Sequence, residues 1–579
     1  MNLQKHKLSE RNKLLLLSLA VGICSGLAAV VLCKLIKNIK YLLNAGFASE
    51  YNIQNLILPG VGMMISLLLL KYVIKDNIGH GVTKALLAVS RNESKIKPHN
   101  MWSSVLTSSI TIGFGGSVGA EAPIVYTGAA IGSNLGRWSG LTYRSITILL
   151  GCGAAGAVAG IFKAPLAGVL FTIEILLFNI SMSSLLPLLI STISATAVSY
   201  LFLGQTPQFA CSLTPFSMAN VPFYILMGFI LGFCSLYFTK TTLWMEDKIT
   251  GFRNKYLRWL FCAIGIGLLI FLFPPLYGEG YDTLQNLLNG NGTDMNLFPA
   301  FRFNSPWAIP LLFFLVFVFK VVAMTLTNTG GGVGGTFGPT LFAGAIMGFV
   351  VSRCLNLSGA DVPEHNFVLV GMAAMMAGVM QAPMTAIFLI AEISGGYELL
   401  IPLILTSTIS FGTTRIFEKY SIYTKRIAQS GDLLTHDSDQ AVVTLLKTES
   451  LVKKDKYPCV RVEDTLGDLV KAVQDSDAAV VAVLDENGIF QGMIDVANVR
   501  RYLFSTKQYN KLHVYNLMEQ APAYVLIDEK VESVLRKFDN TEAWRLPVVD
   551  SNRKYLGFIS KSRILMAYRS ELKSICSED

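Results

Sequence analysis

Residues 163–175, KAPLAGVLFTIEI, align without gaps onto residues 381–393, QAPMTAIFLIAEI, so that Pro165 meets Pro383 and Glu174 meets Glu392. Upstream of each copy, at almost the same separation, residues 115–123 (GGSVGAEAP) match residues 331–339 (GGVGGTFGP). A whole multi-helix unit therefore occurs twice, and such repetition constrains the chain to fold as two related halves. In membrane proteins, repeated units bring interrupted helices together near the bilayer midplane and build one site from two motifs. Repetition alone leaves inverted and parallel copies both open.

The composition places this repeat in a bilayer. Of 579 residues, 52% are hydrophobic and 15% charged, against about 25% charged in an ordinary soluble domain. Mean hydropathy is +0.49. Apolar runs of spanning length lie at residues 14–32, 56–72, 185–203, 221–238, 257–272 and 309–326. Two further tracts, 146–180 and 367–408, exceed one crossing and are interrupted by Gly and Pro, which predicts broken or tilted helices packed within protein. The first run has no small-residue cleavage site and is long enough to remain as a span. Lys5, Lys7, Arg11 and Lys13 precede it and Lys34, Lys37 and Lys40 follow it, a weak bias toward a cytoplasmic N-terminus. The net charge of +9 suits anion attraction, and equally suits basic flanks beside lipid headgroups. Nine cysteines occur without a CxxC pair or metal-ligand spacing, so no disulfide framework, zinc site or other metal site is expected. Neither a Ser/His/Asp constellation nor a GxxxxGK[ST] loop is present, so the chain reads as no enzyme.

Glu121 is the chemically informative residue of the first motif. A carboxylate at bilayer depth costs at least about 2.5 kcal/mol, so it faces a cavity, a partner or a transported ion. Pro123 suits the first turn of a helix over residues 124–137, which would leave the N–H groups of Ala120, Glu121 and Ala122 without intrahelical acceptors. Free N–H groups at the positive end of a helix dipole attract anions, and the small neighbours let an ion reach the main chain. The alternative is a glutamate that merely caps a helix or pairs with a cation.

From about residue 431 charged residues become frequent and spanning runs stop. The tail carries two units of like layout. Helix 466–474, strand 478–484, turn 485–488 and strand 490–494 are followed by helix 531–538, strand 545–549, turn 550–553 and strand 555–559.

These residues resemble the CLC family of chloride channels and proton-coupled anion antiporters, including members with a cytoplasmic pair of CBS domains. GAEAP at 119–123 resembles the family's G-[KR]-E-G-P element, GGTFGP at 334–339 its GxFxP element, and GHGVT at 79–83 a divergent form of its GSGIP element. KAPLAGVLFTIE and SIYTKRIAQSG at 421–431 extend the match over nearly the whole chain. The resemblance implies a polytopic α-helical membrane protein with internal, inverted repeats and broken helices, followed by an α/β CBS pair. Expected boundaries are an N-terminal tail at 1–13, a transmembrane domain at 14–430 with halves near 14–204 and 221–430, a linker at 431–455, CBS units at 456–510 and 511–570, and a C-terminal tail at 571–579.

By that resemblance Glu121 is the gate, its carboxylate standing in for an anion when ionised and swinging away when protonated or displaced. Anion ligands would come from Gly79, His80, Gly81, Ala120, Glu121 and Ala122 in the first half. The second half would give the backbone N–H groups of Thr336, Phe337 and Gly338, with Pro339 opening the next helix, and the hydroxyl of Tyr423 at the end of the last membrane helix. Plain packing is the alternative for Phe337, and interfacial anchoring for Tyr423. His80 replaces the usual serine and could make anion occupancy pH-dependent, or could turn to water. Thr83 replaces a frequent Pro, and Ala122 a Gly. Ile175 stands where proton-coupled members often carry an inner glutamate, which tilts the reading toward passive conduction. Glu174 and Glu392 read as hydrogen-bonded to helix ends, with Glu174 the alternative point of proton access.

In the tail, Asn498 and Arg563 occupy the places where a CBS pair carries ribose-binding Asp, so an adenine nucleotide is disfavoured and no cofactor is expected. The expected protein is a homodimer in a plasma membrane, both termini cytoplasmic, contacting lipid and chloride and no nucleic acid. Its function is gated, passive chloride permeation; chloride/proton exchange is the near rival, and a CBS-regulated cation or solute transporter the remote one. Nitrate, bicarbonate and fluoride stay open as alternative anions.

Overall fold

Reciprocal contacts between the two repeats organise the membrane part of the computed structural model. The structure describes residues 9–46, 54–76, 78–79, 81–91, 94–176, 182–207, 209, 213–252, 254–290, 298, 305–429, 446, 448–452, 457–474, 476 and 478–576. The chain divides into two compact units, Met1–Leu433 and Leu434–Asp579. Among the described residues, nine helices are long and apolar enough to cross a membrane. The first, Glu10–Gly46, has 37 residues and at 1.5 Å per residue extends about 55 Å, well beyond a hydrocarbon core of about 30 Å. All six apolar runs fall within helices, the second continuing from Gln54–Leu68 into a π-helical turn at Leu69–Ile74.

The two long tracts are broken as their Gly and Pro content predicts, and by the same device. Helix Tyr143–Phe162 ends at Lys163 in the left-handed conformation, and Pro165 opens helix Pro165–Ile175. Helix Glu364–Met380 ends at Gln381 in the same conformation, and Pro383 opens helix Pro383–Ser394. Proline without an N–H is tolerated at the first helical position, so each break costs no hydrogen bond there. Helix Glu121–Trp138 packs on Tyr143–Phe162 through Gly128, where a Cβ would lie 2.1 Å from the Gly153 carbonyl oxygen. Helix Phe337–Leu357 packs on Glu364–Met380 through the equivalent Gly344, where a Cβ would lie 2.4 Å from the Gly371 oxygen.

The halves meet at equivalent residues. Gly119 and Gly335 exchange two backbone hydrogen bonds, of 3.0 and 2.7 Å, as an antiparallel bridge. The Thr327 hydroxyl accepts the Ser117 N–H at 3.2 Å, and the Thr111 hydroxyl accepts the Val333 N–H at 3.0 Å. Aligned residues that pair reciprocally and run antiparallel are what inverted copies about a two-fold axis require.

In the second unit, β1 (Cys459–Arg461), β2 (Val480–Leu484) and β3 (Phe490–Asp495) form one sheet; β4 (Val525–Leu526), β5 (Arg545–Val549) and β6 (Tyr555–Ser560) form the other. In each, the first pair is parallel and the second antiparallel. A parallel pair needs a crossover, supplied by helices Leu466–Gln474 and Val531–Thr541. Asp485 and Asp550 shape the two turns alike, each accepting two backbone N–H groups through Oδ1. Helix Lys561–Cys576 runs through the expected boundary at 570. Residues 1–8, 431–445 and 577–579, within the expected tails and linker, lie outside the described residues.

Candidate functional site

Glu121 is 2% exposed and sits where the halves converge. Its helix starts at Glu121 itself, two residues before the expected opening at Pro123, because Ala120 already takes helical dihedrals and its carbonyl accepts the Ile124 N–H. The helix of the second half likewise starts at Phe337 rather than Pro339. Glu121 Oε2 accepts the Gly338 N–H at 3.1 Å, in the first turn of that second helix. Glu121 Oε1 accepts the Tyr281 hydroxyl at 2.5 Å. The glycine is needed at 338, since a Cβ there would lie 2.9 and 3.1 Å from the two carboxylate oxygens.

Phe337 is buried, its ring centroid 5.4 Å from Phe162 and 6.2 Å from Phe171. Thr336 donates its hydroxyl proton to the Tyr423 oxygen at 3.3 Å, which leaves the Tyr423 O–H proton available to another acceptor. Tyr423 is fully buried and lies in a separate helix, Ile422–Gln429, rather than at the end of Leu400–Phe417. Arg426 anchors that helix by donating through Nε and Nη2 to Glu246. Gly79 has φ +51°, and Gly81 opens helix Gly81–Arg91 against helix Glu121–Trp138, where a Cβ would lie 2.4 Å from the Ala122 oxygen. Gly81, Ala120, Ala122 and Ile175 are buried, whereas Gly79 is exposed. His80 lies outside the described residues.

Glu174 and Glu392 each cap a helix of the opposite half. Glu174 accepts the N–H groups of Met384 and Thr385 and the Thr385 hydroxyl. Glu392 accepts those of Leu166 and Ala167, at 3.1 and 2.9 Å.

Two expectations are corrected. The Ala120 N–H is not free, because it donates to Glu279 Oε1 at 3.2 Å. A second carboxylate therefore enters a site expected to hold one, brought by a segment outside both motifs. Tyr281, Glu279 and Lys320 escaped the sequence reading. Lys320 Nζ donates to the Ser117 hydroxyl and the Gly278 carbonyl, both at 2.9 Å, and is wholly buried. Its signal was legible, as a lone cation inside the apolar run 309–326. For Glu279 and Tyr281 the YGEGYD segment offered no more than charge between glycines.

In the tail, the Asn498 amide donates to Glu519 Oε1 at 3.2 Å, and the Arg563 N–H to the Ser560 hydroxyl at 3.3 Å. The nearby carboxylate of Asp495 caps helix Val496–Leu503 through the Ala497 N–H.

A sequence model described as voltage gated chloride channel matches residues 61–415, more than half of the chain. The chain belongs to the CLC family of voltage-gated chloride channels. Its relatives there include channels and transporters, not enzymes. A CBS-domain model matches residues 514–570. Similar proteins include a ClcB-like protein of Ralstonia nicotianae, 27% identical over 65% of this chain and 86% of its own length. The H+/Cl− exchange transporter ClcA of Vibrio vulnificus is 30% identical over 51% of this chain and 62% of its own. A solved slow cyanobacterial Cl−/H+ antiporter shares the CLC fold, with a TM-score of 0.63 at 21% identity, covering 72% of this chain and 98% of that one. Fold and family together make this a multi-pass membrane protein with a C-terminal CBS region.

Proposed function

We propose that this protein carries chloride across a bacterial plasma membrane along a path gated by Glu121. The observation that supports this most is the hydrogen bond from the Gly338 N–H of one half to the Glu121 carboxylate of the other. An uncharged N–H donor serves a carboxylate and a chloride alike, so the side chain acts as a tethered substitute for the permeating ion. When ionised, Glu121 holds two donors, Gly338 N–H and Tyr281 O–H. A protonated carboxyl accepts less well, so protonation or competing chloride releases it and opens the position. The Tyr423 hydroxyl, its oxygen occupied by Thr336, then gives its proton to a central chloride. Thr336 and Phe337 complete the second-half wall. Donors that are neutral bind chloride weakly enough to release it.

Ile175, apolar where an inner carboxylate would serve, supports passive permeation. Chloride/proton exchange is the second reading, supported by the exchange activity named for the Vibrio relative and by the titratable Tyr281 hydroxyl hydrogen-bonded to Glu121. Two copies associate, each with its own path, and both termini face the cytoplasm. The CBS pair contributes subunit contact and coupling to the membrane helices without a nucleotide, since Asn498 is engaged by Glu519 and neither position carries a carboxylate.

The test is proton movement in proteoliposomes loaded with high chloride, with the voltage clamped at the proton equilibrium value and chloride flux recorded alongside. Chloride efflux without uphill proton uptake establishes passive permeation. Uptake that disappears in Glu121→Gln establishes exchange. Absence of chloride flux in the wild type overturns both.

A further inference from the structure

Glu279 lies in a tight loop between Gly278 (φ +61°) and Gly280 (φ +88°), just before helix Tyr281–Leu288. Two left-handed glycines in three residues reverse the chain sharply, which only glycine does without strain. Lys320 clamps the loop from behind, donating to the carbonyl oxygens of Gly278 and Glu279 and to Ser117. Held so, the loop reaches two adjacent residues of the gate motif with two of its own. Glu279 takes the Ala120 N–H and Tyr281 takes the Glu121 carboxylate. Glu279 and Tyr281 also line a cavity of about 400 Å³, whose wall includes Lys37, Lys40 and Lys163. An anion drawn in by these lysines meets Glu279 directly.

From this geometry we propose that Glu279 is a second tethered competitor for the anion, occupying the Ala120 N–H at the cavity end of the path as Glu121 occupies the Gly338 N–H deeper in. The inference rests on the Glu121-gated reading and deepens it: entry from the cavity requires displacement of two carboxylates in turn. The charged and titratable groups facing Glu279 are Lys37, Lys40 and Cys33 on the first helix, Lys163, Glu121, Lys320, and Tyr281 and Asp282 on its own segment. Protonation of Glu279 removes the negative charge that competes with the anion, so chloride affinity on this side rises as the pH falls.

The experiment is a titration of chloride-dependent flux in proteoliposomes of the full-length protein at pH 5 and 7.5. Wild type, Glu279→Gln, Glu279→Ala and Glu121→Gln are compared. At pH 7.5 Glu279→Gln raises apparent chloride affinity about tenfold, as removal of one charge-assisted competitor predicts, and Glu279→Ala raises it further. At pH 5 the wild type approaches Glu279→Gln. Wild-type affinity and pH profile in both Glu279 variants, or an equal loss of affinity in both, overturns the inference and leaves Glu279 a structural support. If neither variant folds, the double variant Glu121→Gln, His80→Ala still carries Glu279: affinity that rises from pH 7.5 to pH 5 sustains the inference, and a flat profile overturns it. Absence of chloride flux in the wild type removes the underlying reading; normal flux with a responsive Glu121→Gln and an unresponsive Glu279→Gln removes the inference alone.

Discussion

In the first half of the membrane unit Glu174 caps the helix opened by Pro383, and in the second half Glu392 caps the helix opened by Pro165. Thr111 and Thr327 exchange the same service, as do Gly119 and Gly335. Each contact satisfies a backbone group that a broken helix leaves without a partner, and each has a counterpart doing the same work. The Glu121 position breaks this pattern. Glu121 aligns with Phe337, so a carboxylate in one half corresponds to an aromatic ring in the other. Glu121 takes a donor from the second half, Phe337 offers no acceptor in return, and the Ala120 N–H is filled by Glu279 from a loop outside both motifs. Symmetric contacts are accounted for by folding; in the proposed function, the position where symmetry fails is where an ion is exchanged for a side chain.

The largest expected effect tests the symmetric part. Glu174→Ala and Glu392→Ala each strand two helix N–H groups and cost about 2–4 kcal/mol, at about 1–2 kcal/mol per orphaned donor. Both should lower thermal stability in detergent by a similar amount and leave the chloride-to-nitrate flux ratio unchanged. Loss of proton movement in Glu174→Gln but not in Glu392→Gln would break the equivalence and make Glu174 a proton carrier.

Glu121→Gln tests the asymmetric position. Chloride flux at pH 7.5 should rise about tenfold, equivalent to about 1.4 kcal/mol of lost occupancy by the gate, and the step attributable to Glu121 should vanish from the flux–pH profile. Gly338→Ala sharpens this by pushing the carboxylate off its donor without changing its charge. Overpacking costs about 1–3 kcal/mol, and flux at pH 7.5 should rise about fivefold, short of Glu121→Gln, with the pH step retained.

The smallest effect concerns the tail, whose modules also match in sheet order and turn chemistry. They differ at Glu529, which accepts from Lys537 at 2.7 Å and from Ser533 at 2.6 Å. Burial pushes the Glu529 carboxyl up, but hydrogen bonds from Lys537, Ser533 and the Leu526 N–H outweigh it and hold it below its ordinary 4.5. A carboxyl lowered in the folded state stabilises above its unfolded value and loses that stability as the pH falls through the folded one. Backbone hydrogen exchange in residues 525–541 of the full-length protein, taken relative to its intrinsic rate at each pH, should therefore quicken below pH 4.5. Lys537→Ala should quicken it about threefold at pH 7, as loss of a partly exposed ion pair predicts.

Much of this was legible in the chain because it depends on local pattern. The Gly and Pro content of tracts 146–180 and 367–408 predicts broken helices, and the structure breaks them, opening new helices at Pro165 and Pro383. The tail helix 466–474 and strand 545–549 appear with the expected limits, while strand 478–484 contracts to Val480–Leu484. The hydrogen bonding of Glu174 and Glu392 to helix ends was also legible, since a carboxylate at a fixed place in each copy invites a reciprocal partner. Helix starts at Glu121 and Phe337 were misplaced by two residues because the first turn is shaped by contact with the opposite half, which no local signal carries.

The sequence by itself determined the class, the two-fold repeat, the broken helices and the carboxylate at 121, because apolar run length, Gly and Pro positions and gapless self-similarity act through local backbone physics. Only the tertiary structure decided what that carboxylate touches. Tyr281 and Gly338 lie far from Glu121 along the chain, and Glu279 and Lys320 belong to segments outside both motifs. A buried donor takes whichever acceptor packing brings within reach, and that choice is made in space between halves rather than along the sequence.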